Sequence, residues 1–332
     1  MPKYKVAVVG CGGIGVQHAQ GVVGLNNAEL VAGCDISQDT LNAFKAKWER
    51  HWPNLSLYTD YRAMLEKERP DIVTVATPDN RHTDLVVDAA SAGVKGIFCE
   101  KPLATSLTDA DQMLAACESN DVILSIDHTR RFTPLWRYMK HDVIAGGKIG
   151  ELQYIDGRSS GNRASLFRNG THLIDALYYL ADAEPAWVFA ALENGYEDYT
   201  EYRGDGGRTP ELEPSATGYV HFKNGVRSLY TGTSKNTAGP KWRFEIIGSE
   251  GYITVDKDAV LYVGKTAEVI APPVWEISGI PYGVRELIEA VETGSDVASP
   301  GRAAHTVVEI ICGFLESQRQ GNAKVMLPLP RS

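Results

Sequence analysis

The run Val6-Ala7-Val8-Val9, closed by Gly10-Cys11-Gly12-Gly13-Ile14-Gly15, constrains this chain more than any other stretch. Consecutive apolar residues leave the segment no polar face, so it reads as a strand covered on both sides. Gly10, Gly12 and Gly15 fit the spacing G-x-G-x-x-G, which gives a tight turn, a bare backbone that a diphosphate can approach, and close helix–strand packing. Val16-Gln17-His18-Ala19 then opens a helix whose first N–H groups and positive dipole end face the phosphates. Gly13 and Ile14 lie inside that turn and join the expected cofactor contacts. Asp35 closes a second apolar run, 30–34, about 20 residues after Gly15, where the motif expects an acid. A carboxylate there accepts hydrogen bonds from the adenine-ribose hydroxyls and repels a 2′-phosphate. Ile36 and Ser37 follow with no arginine to receive that phosphate, so the cofactor expected is NAD in preference to NADP.

From Ser37 to about residue 126 the pattern alternates between helix and strand. Ser37 and Asp60 stand as caps before helical spacings (Leu41, Phe44, Trp48 for the first), and Arg69-Pro70 ends the second. The runs 72–77, 96–99 and 122–126 read as buried strands, with helices between them through Gly93 and from a Thr108 cap through Ser119. Repeated βα alternation predicts a doubly wound parallel sheet with ligands outside the carboxyl ends of its strands. The residues at those ends are Gly10, Asp35, Thr77-Pro78, Glu100-Lys101 and Asp127-His128, so nucleotide-binding and titratable groups share one rim. Lys101 has two readings, a solvated surface charge or a rim amine that holds a substrate oxygen and helps move its proton.

The chain has 332 residues, enough for two domains, and is 43% hydrophobic and 23% charged. Its formal charge of −9 lacks the basic face that a nucleic-acid partner requires. No apolar stretch approaches the roughly 20 residues that span a bilayer. Met1-Pro2-Lys3 runs directly into the first strand, so no signal peptide is expected. Five scattered cysteines without metal-type spacing point to reduced thiols, a cytoplasmic location and no metal site. Cys11 and Cys99 could be reactive, although small buried fillers are the simpler reading.

After residue 126 the pattern changes. A helical stretch over 134–144 precedes extended segments at 152–160, 187–192, 216–222, 226–233, 243–248 and 251–255. Asn224-Gly225 marks a hairpin between two of them. Helices are expected over 282–292 and 301–318. The boundary is therefore set as 1–126 for a dinucleotide-binding domain and 127–332 for an α+β domain on a large, mainly antiparallel sheet. Val220, Phe222, Leu229, Tyr230 and Trp242 suggest a sheet face that meets another subunit, giving a homodimer or homotetramer. Residues 193–213 read as a long irregular excursion. His172 opens a helix with the apolar stripe Leu173, Ile174, Leu177 and Leu180. It is either a satisfied helix-start histidine or a base kept neutral by the dipole. Arg130, Arg131, Arg158, Arg163 and Arg168 could together bind a carboxylate or phosphate, or could pair with this chain's acids.

Glu100-Lys101-Pro102, taken with the N-terminal glycine turn, resembles the glucose-fructose oxidoreductase/inositol dehydrogenase (Gfo/Idh/MocA) family. The likeness extends through Ala76-Thr77-Pro78 followed by His82, Arg130-Arg131-Phe132-Thr133-Pro134, Gly170-Thr171-His172-Leu173-Ile174-Asp175 and Ile247-Gly248-Ser249-Glu250-Gly251. The resemblance implies an NAD(P)-dependent enzyme that interconverts a secondary alcohol and a ketone on a sugar, polyol or sugar acid. It carries the substrate- and cofactor-touching lysine onto Lys101 and the general acid/base onto His172. Ala76, Thr77, Pro78, His82 and Glu100 join the cofactor set, and His128, Arg131, Arg158, Arg168 and Asn169 join Lys101 and His172 as substrate contacts. Two departures stand out. Arg168 occupies the position, four before the histidine, where the family commonly has aspartate, and Asp127-His128-Thr129 replaces the usual lead-in to Arg130. Two rivals use the same fold: redox-neutral chemistry with bound NAD recycled, and a non-catalytic dinucleotide sensor.

Overall fold

A computed structural model describes residues 3–206, 208–233, 239 and 241–331. Met1 and Pro2 of the stretch read as leaderless, and Gly207 of the 193–213 excursion, lie outside the described residues. The chain divides into two compact units, and each is described by itself.

The first unit is built on six parallel strands, β1 (Tyr4–Val9), β2 (Ala28–Cys34), β3 (Ser56–Tyr58), β4 (Ile72–Val75), β5 (Gly96–Cys99) and β6 (Ile123–Ile126), in the order β3-β2-β1-β4-β5-β6. This is the doubly wound arrangement, and the order reverses between β1 and β4, where ligands bind beyond the strand ends. Val6, Ala7 and Val8 are fully buried because β1 has a strand on either side and helices on both faces. The helices between strands are α1 (Gly13–Val22), α2 (Gln38–Trp48), α3 (Tyr61–Glu68), α4 (His82–Ser91) and α5 (Leu107–Ser119). Ser37 caps α2 by accepting from the Thr40 N–H, and Asp60 caps α3 by accepting from the Arg62 N–H. Arg69 ends α3 in a left-handed conformation, φ 47°. Thr108 falls inside α5, which begins at Leu107, so it does not cap that helix.

The units do not follow a cut after residue 126. Residues 108–132 and 276–304 belong with the nucleotide-type sheet. The helix expected over 282–292 is responsible, because Val284, Leu287 and Ile288 join the hydrophobic core that contains Val6, Val8 and Phe98. Gly283 lies so close to Phe98 and Phe132 that a Cβ there would sit 2.8 Å from the Phe98 ring. Arg285 fixes the same helix by donating to the Gly21 and Val23 carbonyls.

The second unit carries a nine-stranded, mainly antiparallel sheet. Its strands are β7 (Leu152–Ser160), β8 (Pro185–Leu192), β9 (Ala216–Phe222), β10 (Arg227–Thr233), β11 (Trp242–Gly248), β12 (Gly251–Val255), β13 (Ala259–Val263), β14 (Thr266–Val269) and β15 (Val325–Met326). The order is β14-β13-β12-β11-β7-β10-β9-β8-β15, and β7 pairs with β10 in parallel. Asn224-Gly225 joins the antiparallel pair β9 and β10. A short helix, α6 (Pro134–Tyr138), runs into a π-helical turn (Met139–Ile144), and α7 (Thr171–Ala181) covers the sheet through Leu173 and Leu177 over Gly157. The returning helix of the first unit is α8 (Ile280–Thr293), and α9 (Gly301–Arg319) packs Phe314 against Gly218 and Tyr230.

The sheet face expected to meet a partner needs correction. Val220, Phe222 and Tyr230 are at most 1% exposed and point into the helix-covered core. Strand alternation puts Leu229 on the opposite face, with Trp187, Phe189, Tyr219 and His221. There Tyr219 stacks 5.1 Å from Trp187 and 5.2 Å from Phe189, and His221 stacks 5.0 Å from Trp187. Trp242 is half-buried against the core.

Candidate active site

The glycine turn between β1 and α1 is shaped by contacts that only glycine permits. Gly10 has φ +89°, and a Cβ there would lie 2.4 Å from the Ala76 carbonyl oxygen. A Cβ on Gly15 would lie 1.8 Å from the Gly10 carbonyl, so the helix packs directly onto the turn. Gly12 and Gly13 behave oppositely, since a Cβ on either would meet nothing within 4 Å. No side chain caps the N-terminus of α1. The backbone thus offers an open, uncapped helix start, which fits a diphosphate.

Asp35 completes this cradle. Its Oδ2 accepts from the Cys11 N–H and its Oδ1 from the Ser37 N–H, each at 2.9 Å. The two bonds fix the carboxylate at the end of β2 beside the turn, and each oxygen keeps a lone pair for a ribose diol. Ile36 next to it is 94% exposed, a large apolar side chain without cover. Ile14 is exposed as well. Cys11 is buried, and burial with the Asp35 charge pushes its thiol far up, so it is a filler and not a nucleophile. The Cys99 thiol is likewise held well above its ordinary range by burial and the Glu100 charge.

Along the rim, Ala76, Thr77 and Pro78 leave β4, and Glu100, Lys101 and Pro102 leave β5. His82 ties these two exits together. It is fully buried, with Nδ1 2.9 Å from the Pro102 carbonyl and Nε2 3.1 Å from the Thr77 carbonyl. Both ring nitrogens are therefore taken by backbone oxygens, and the expected direct cofactor contact becomes a brace between rim loops. A neutral ring donates to one carbonyl and a charged ring to both. Burial holds His82 below the ordinary imidazole range, against the pull of those carbonyls.

Glu100, next to Lys101, belongs with His18 and Asp127 to a buried trio whose grouping the sequence did not reveal. His18 on α1 is fully enclosed, packs edge-on against Phe98 at 5.1 Å, and has Nε2 3.5 Å from Glu100 Oε1. Asp127 Oδ1 accepts from the Thr129 hydroxyl at 3.0 Å, and the Glu100 charge acts on the Asp127 carboxyl. Burial pushes both carboxyls up, Asp127 strongly, and lowers His18 to about 4. His128 and Arg131 follow on the same side, 1% and 5% exposed, and Arg131 donates to the Ala298 carbonyl.

In the second unit, His172 is the second residue of α7 and is half-buried. The expected free helix start is absent there. A π-helical turn (Leu166–Gly170) runs straight into α7, so the uncapped N–H groups lie after Ser165. Two arginines expected to touch substrate are committed elsewhere. Arg158 on β7 donates to the Asp156 carboxylate, its Nε 3.1 Å from Oδ2. Arg168 lies in the π turn with its Nε 2.8 Å from Glu213 Oε1, and the pair is 7% and 1% exposed. Its guanidinium also donates to the Tyr202 hydroxyl. The arginine in the aspartate's usual place thus anchors the 193–213 excursion instead of a substrate. Asn169 is half-buried, with its N–H bonded to the Arg163 carbonyl. Glu213 and Tyr202 gave no sequence signal beyond belonging to an acidic, tyrosine-rich stretch. Among the described residues, no three or more His, Cys, Asp or Glu cluster as metal ligands would, and no helix is long and apolar enough to cross a membrane.

Comparison with known proteins adds independent findings. A family profile described as an oxidoreductase family with an NAD-binding Rossmann fold matches residues 4–128, and the Gfo/Idh/MocA C-terminal domain profile matches residues 137–254. The chain is 30% identical over 268 residues to a myo-inositol 2-dehydrogenase of Thermotoga maritima, covering 76% of this chain and 75% of that one. It is 27% identical over 342 residues to a D-apiose dehydrogenase of Paraburkholderia graminis, covering 96% and 88%. Its fold matches an aldose-aldose oxidoreductase of Caulobacter crescentus with a TM-score of 0.82 at 20% identity, over 98% of this chain and all of that one. The chain belongs to the Gfo/Idh/MocA oxidoreductase family and is a dehydrogenase with that family's NAD-binding Rossmann domain.

Proposed function

We propose that this enzyme uses NAD to oxidise one secondary carbinol of a sugar or polyol to the ketone. The observation that carries the reading is the first unit's rim, where an open, uncapped helix start, a fixed Asp35 and Lys101 stand at the carboxyl ends of one sheet. Gly10, Gly12, Gly13, Ile14 and Gly15 would hold the diphosphate, Asp35 the adenine ribose, and Ile36 the adenine face. Ala76, Thr77, Pro78, Glu100 and Lys101 would line the path toward the nicotinamide. Bound NAD supplies the hydride acceptor. Lys101 would hold the substrate hydroxyl oxygen and steady the developing carbonyl dipole, and His172 would take the hydroxyl proton. His128, Arg131 and Asn169 are further candidate substrate contacts.

Asp35 favours NAD over NADP because its carboxylate would face a 2′-phosphate with like charge. Uncharged substrates are favoured over sugar acids, because Arg158 and Arg168 are already paired with carboxylates. The names of the myo-inositol and D-apiose relatives agree with that choice. A second copy of the chain would cover the open sheet face around Trp187, Phe189 and Tyr219.

The test is NADH formation across a panel of polyols, aldoses and uronates, with Lys101→Ala beside the native enzyme. The variant should lose about 10²–10⁴ in kcat with little change in NAD affinity. Weakened NAD binding with turnover intact would refute the role of Lys101. Product without net NADH would favour the redox-neutral reading, and NAD binding without turnover the sensor.

A further inference from the structure

We propose that His82 is a positioning residue for Lys101: its enclosed ring holds the Pro102 carbonyl, one residue beyond the lysine, and so fixes where the amine stands at the rim. The inference rests on the reading of Lys101 as a substrate-holding amine and adds the group that keeps its backbone in place.

The need for such a group follows from where the sheet ends. β4 and β5 pair in parallel as far as Val75 and Cys99, and their ladder closes with the Glu100 N–H donating to the Val75 carbonyl at 2.9 Å. Beyond that bond, Thr77 and Pro102 turn their carbonyls toward one ring. Two carbonyls cannot bond each other, and proline has no N–H to offer. The His82 ring stands between them, with Nδ1 2.9 Å from the Pro102 oxygen and Nε2 3.1 Å from the Thr77 oxygen. Lys101 therefore lies between two anchors, the last ladder bond at Glu100 and the imidazole at Pro102.

The two arms of the clasp are unequal. Pro102 is buried, so its carbonyl has no water to turn to, whereas Thr77 is half-buried. The Nδ1 contact is also the shorter, which puts a ring proton on Nδ1. A neutral ring then closes the Pro102 arm, and a charged ring closes both. The mount is rigid: His82 opens α4, its N–H donates to the Asp79 carbonyl, and Leu85, Val86, Ala89 and Ala90 of that helix are at most 4% exposed. A lysine ammonium rides on a flexible four-carbon stem, so it is only as well placed as the backbone that carries it. Both nitrogens of His82 are engaged by backbone oxygens, so its effect on substrate passes through Lys101.

His82→Asn and His82→Leu separate this role from packing, because the asparagine amide lies near the Nδ1 position and can donate to Pro102, while leucine cannot. With NAD and the best polyol, His82→Leu should lose about 10- to 100-fold in kcat, the effect of displacing a reacting group by about an ångström. NAD affinity should stay within about threefold, and His82→Asn should recover kcat to within about threefold of the native enzyme. In a Lys101→Ala background, His82→Leu should remove less than about twofold more, since the amine it acts through is gone. Equal losses in the two His82 variants, a matching loss of NAD affinity, or an undiminished loss without Lys101 would each overturn the proposal. Assigned nitrogen-15 NMR spectra of the native protein with NAD bound need neither a variant nor turnover, and His82 Nδ1 should carry a proton in them. A bare Nδ1 overturns the Pro102 arm, even where the leucine variant fails to fold. Intact turnover in Lys101→Ala would refute the reading of the lysine instead, and leaves the measured His82 bond unaffected.

Discussion

Replacing Arg168 with methionine should destabilise the second unit by about 3–5 kcal/mol, the cost of stranding one partner of a buried ion pair. The size follows from burial: the Glu213 side chain is 1% exposed and that of Arg168 is 7%, so neither charge has water to fall back on. The guanidinium's bond to the Tyr202 hydroxyl is lost as well, and with it an anchor of the ring that packs edge-on against Phe167 at 4.9 Å. For a unit of this size the deficit corresponds to a drop in Tm of roughly 6–20 °C. Removing both charges with Arg168→Met/Glu213→Leu should restore most of the loss, since a well-packed apolar pair often replaces a buried ion pair at little cost. Urea titrations of the native chain, both single variants and the double complete the cycle. Because the arginine is committed to Glu213, KM for the preferred polyol should change by less than about threefold in any variant that remains folded. A single variant as stable as the native enzyme, with KM raised tenfold or more, would refute the structural role and return Arg168 to the substrate.

Asp35→Ala should relax discrimination against NADP by at least about tenfold in kcat/KM, since like-charge repulsion of the 2′-phosphate disappears; a variant equally strict for NAD would show that discrimination lies elsewhere. His18 is held at about 4 when folded against 6.5 when free, so the unfolded chain takes up the proton first as pH falls. Its contribution is complete above about 6.5 and is lost toward pH 4. The full loss is about 3 kcal/mol, read as the difference in acid-side slope between the native chain and His18→Gln. Trp187→Lys on the open sheet face should shift the assembly toward monomer in sedimentation velocity without altering NAD affinity; an unchanged sedimentation coefficient would place the subunit contact elsewhere.

Much of the first unit is legible in the sequence because its constraints are local. Buried strands write continuous apolar runs, and Gly10 and Gly15 stand where a side chain would collide with backbone. Ser37 and Asp60 announce caps that the structure forms. What stayed hidden depends on distant partners. Nothing near Arg168 reveals Glu213. His82 looks like a cofactor contact until its two carbonyl partners are seen. On the second sheet, alternation was visible, but which face the helices cover was not, so Val220, Phe222 and Tyr230 were read outward. The helix expected over 282–292 is α8, while its allegiance to a core that includes Val6, Val8 and Phe98 left no mark in its own composition.

That return of α8 has a consequence for biogenesis. On the ribosome, the nucleotide-binding half waits for residues 276–304, which emerge only after most of the intervening sheet has been made. Val284, Leu287 and Ile288 are at most 1% exposed, and their burial is worth about 5–9 kcal/mol at roughly 1.5–3 each. That is comparable to the entire margin that keeps a typical domain folded. A nascent fragment ending near residue 126 would leave that apolar seam bare to chaperones and proteases, and the half that reads as autonomous along the sequence becomes durable only once residues 276–304 have emerged.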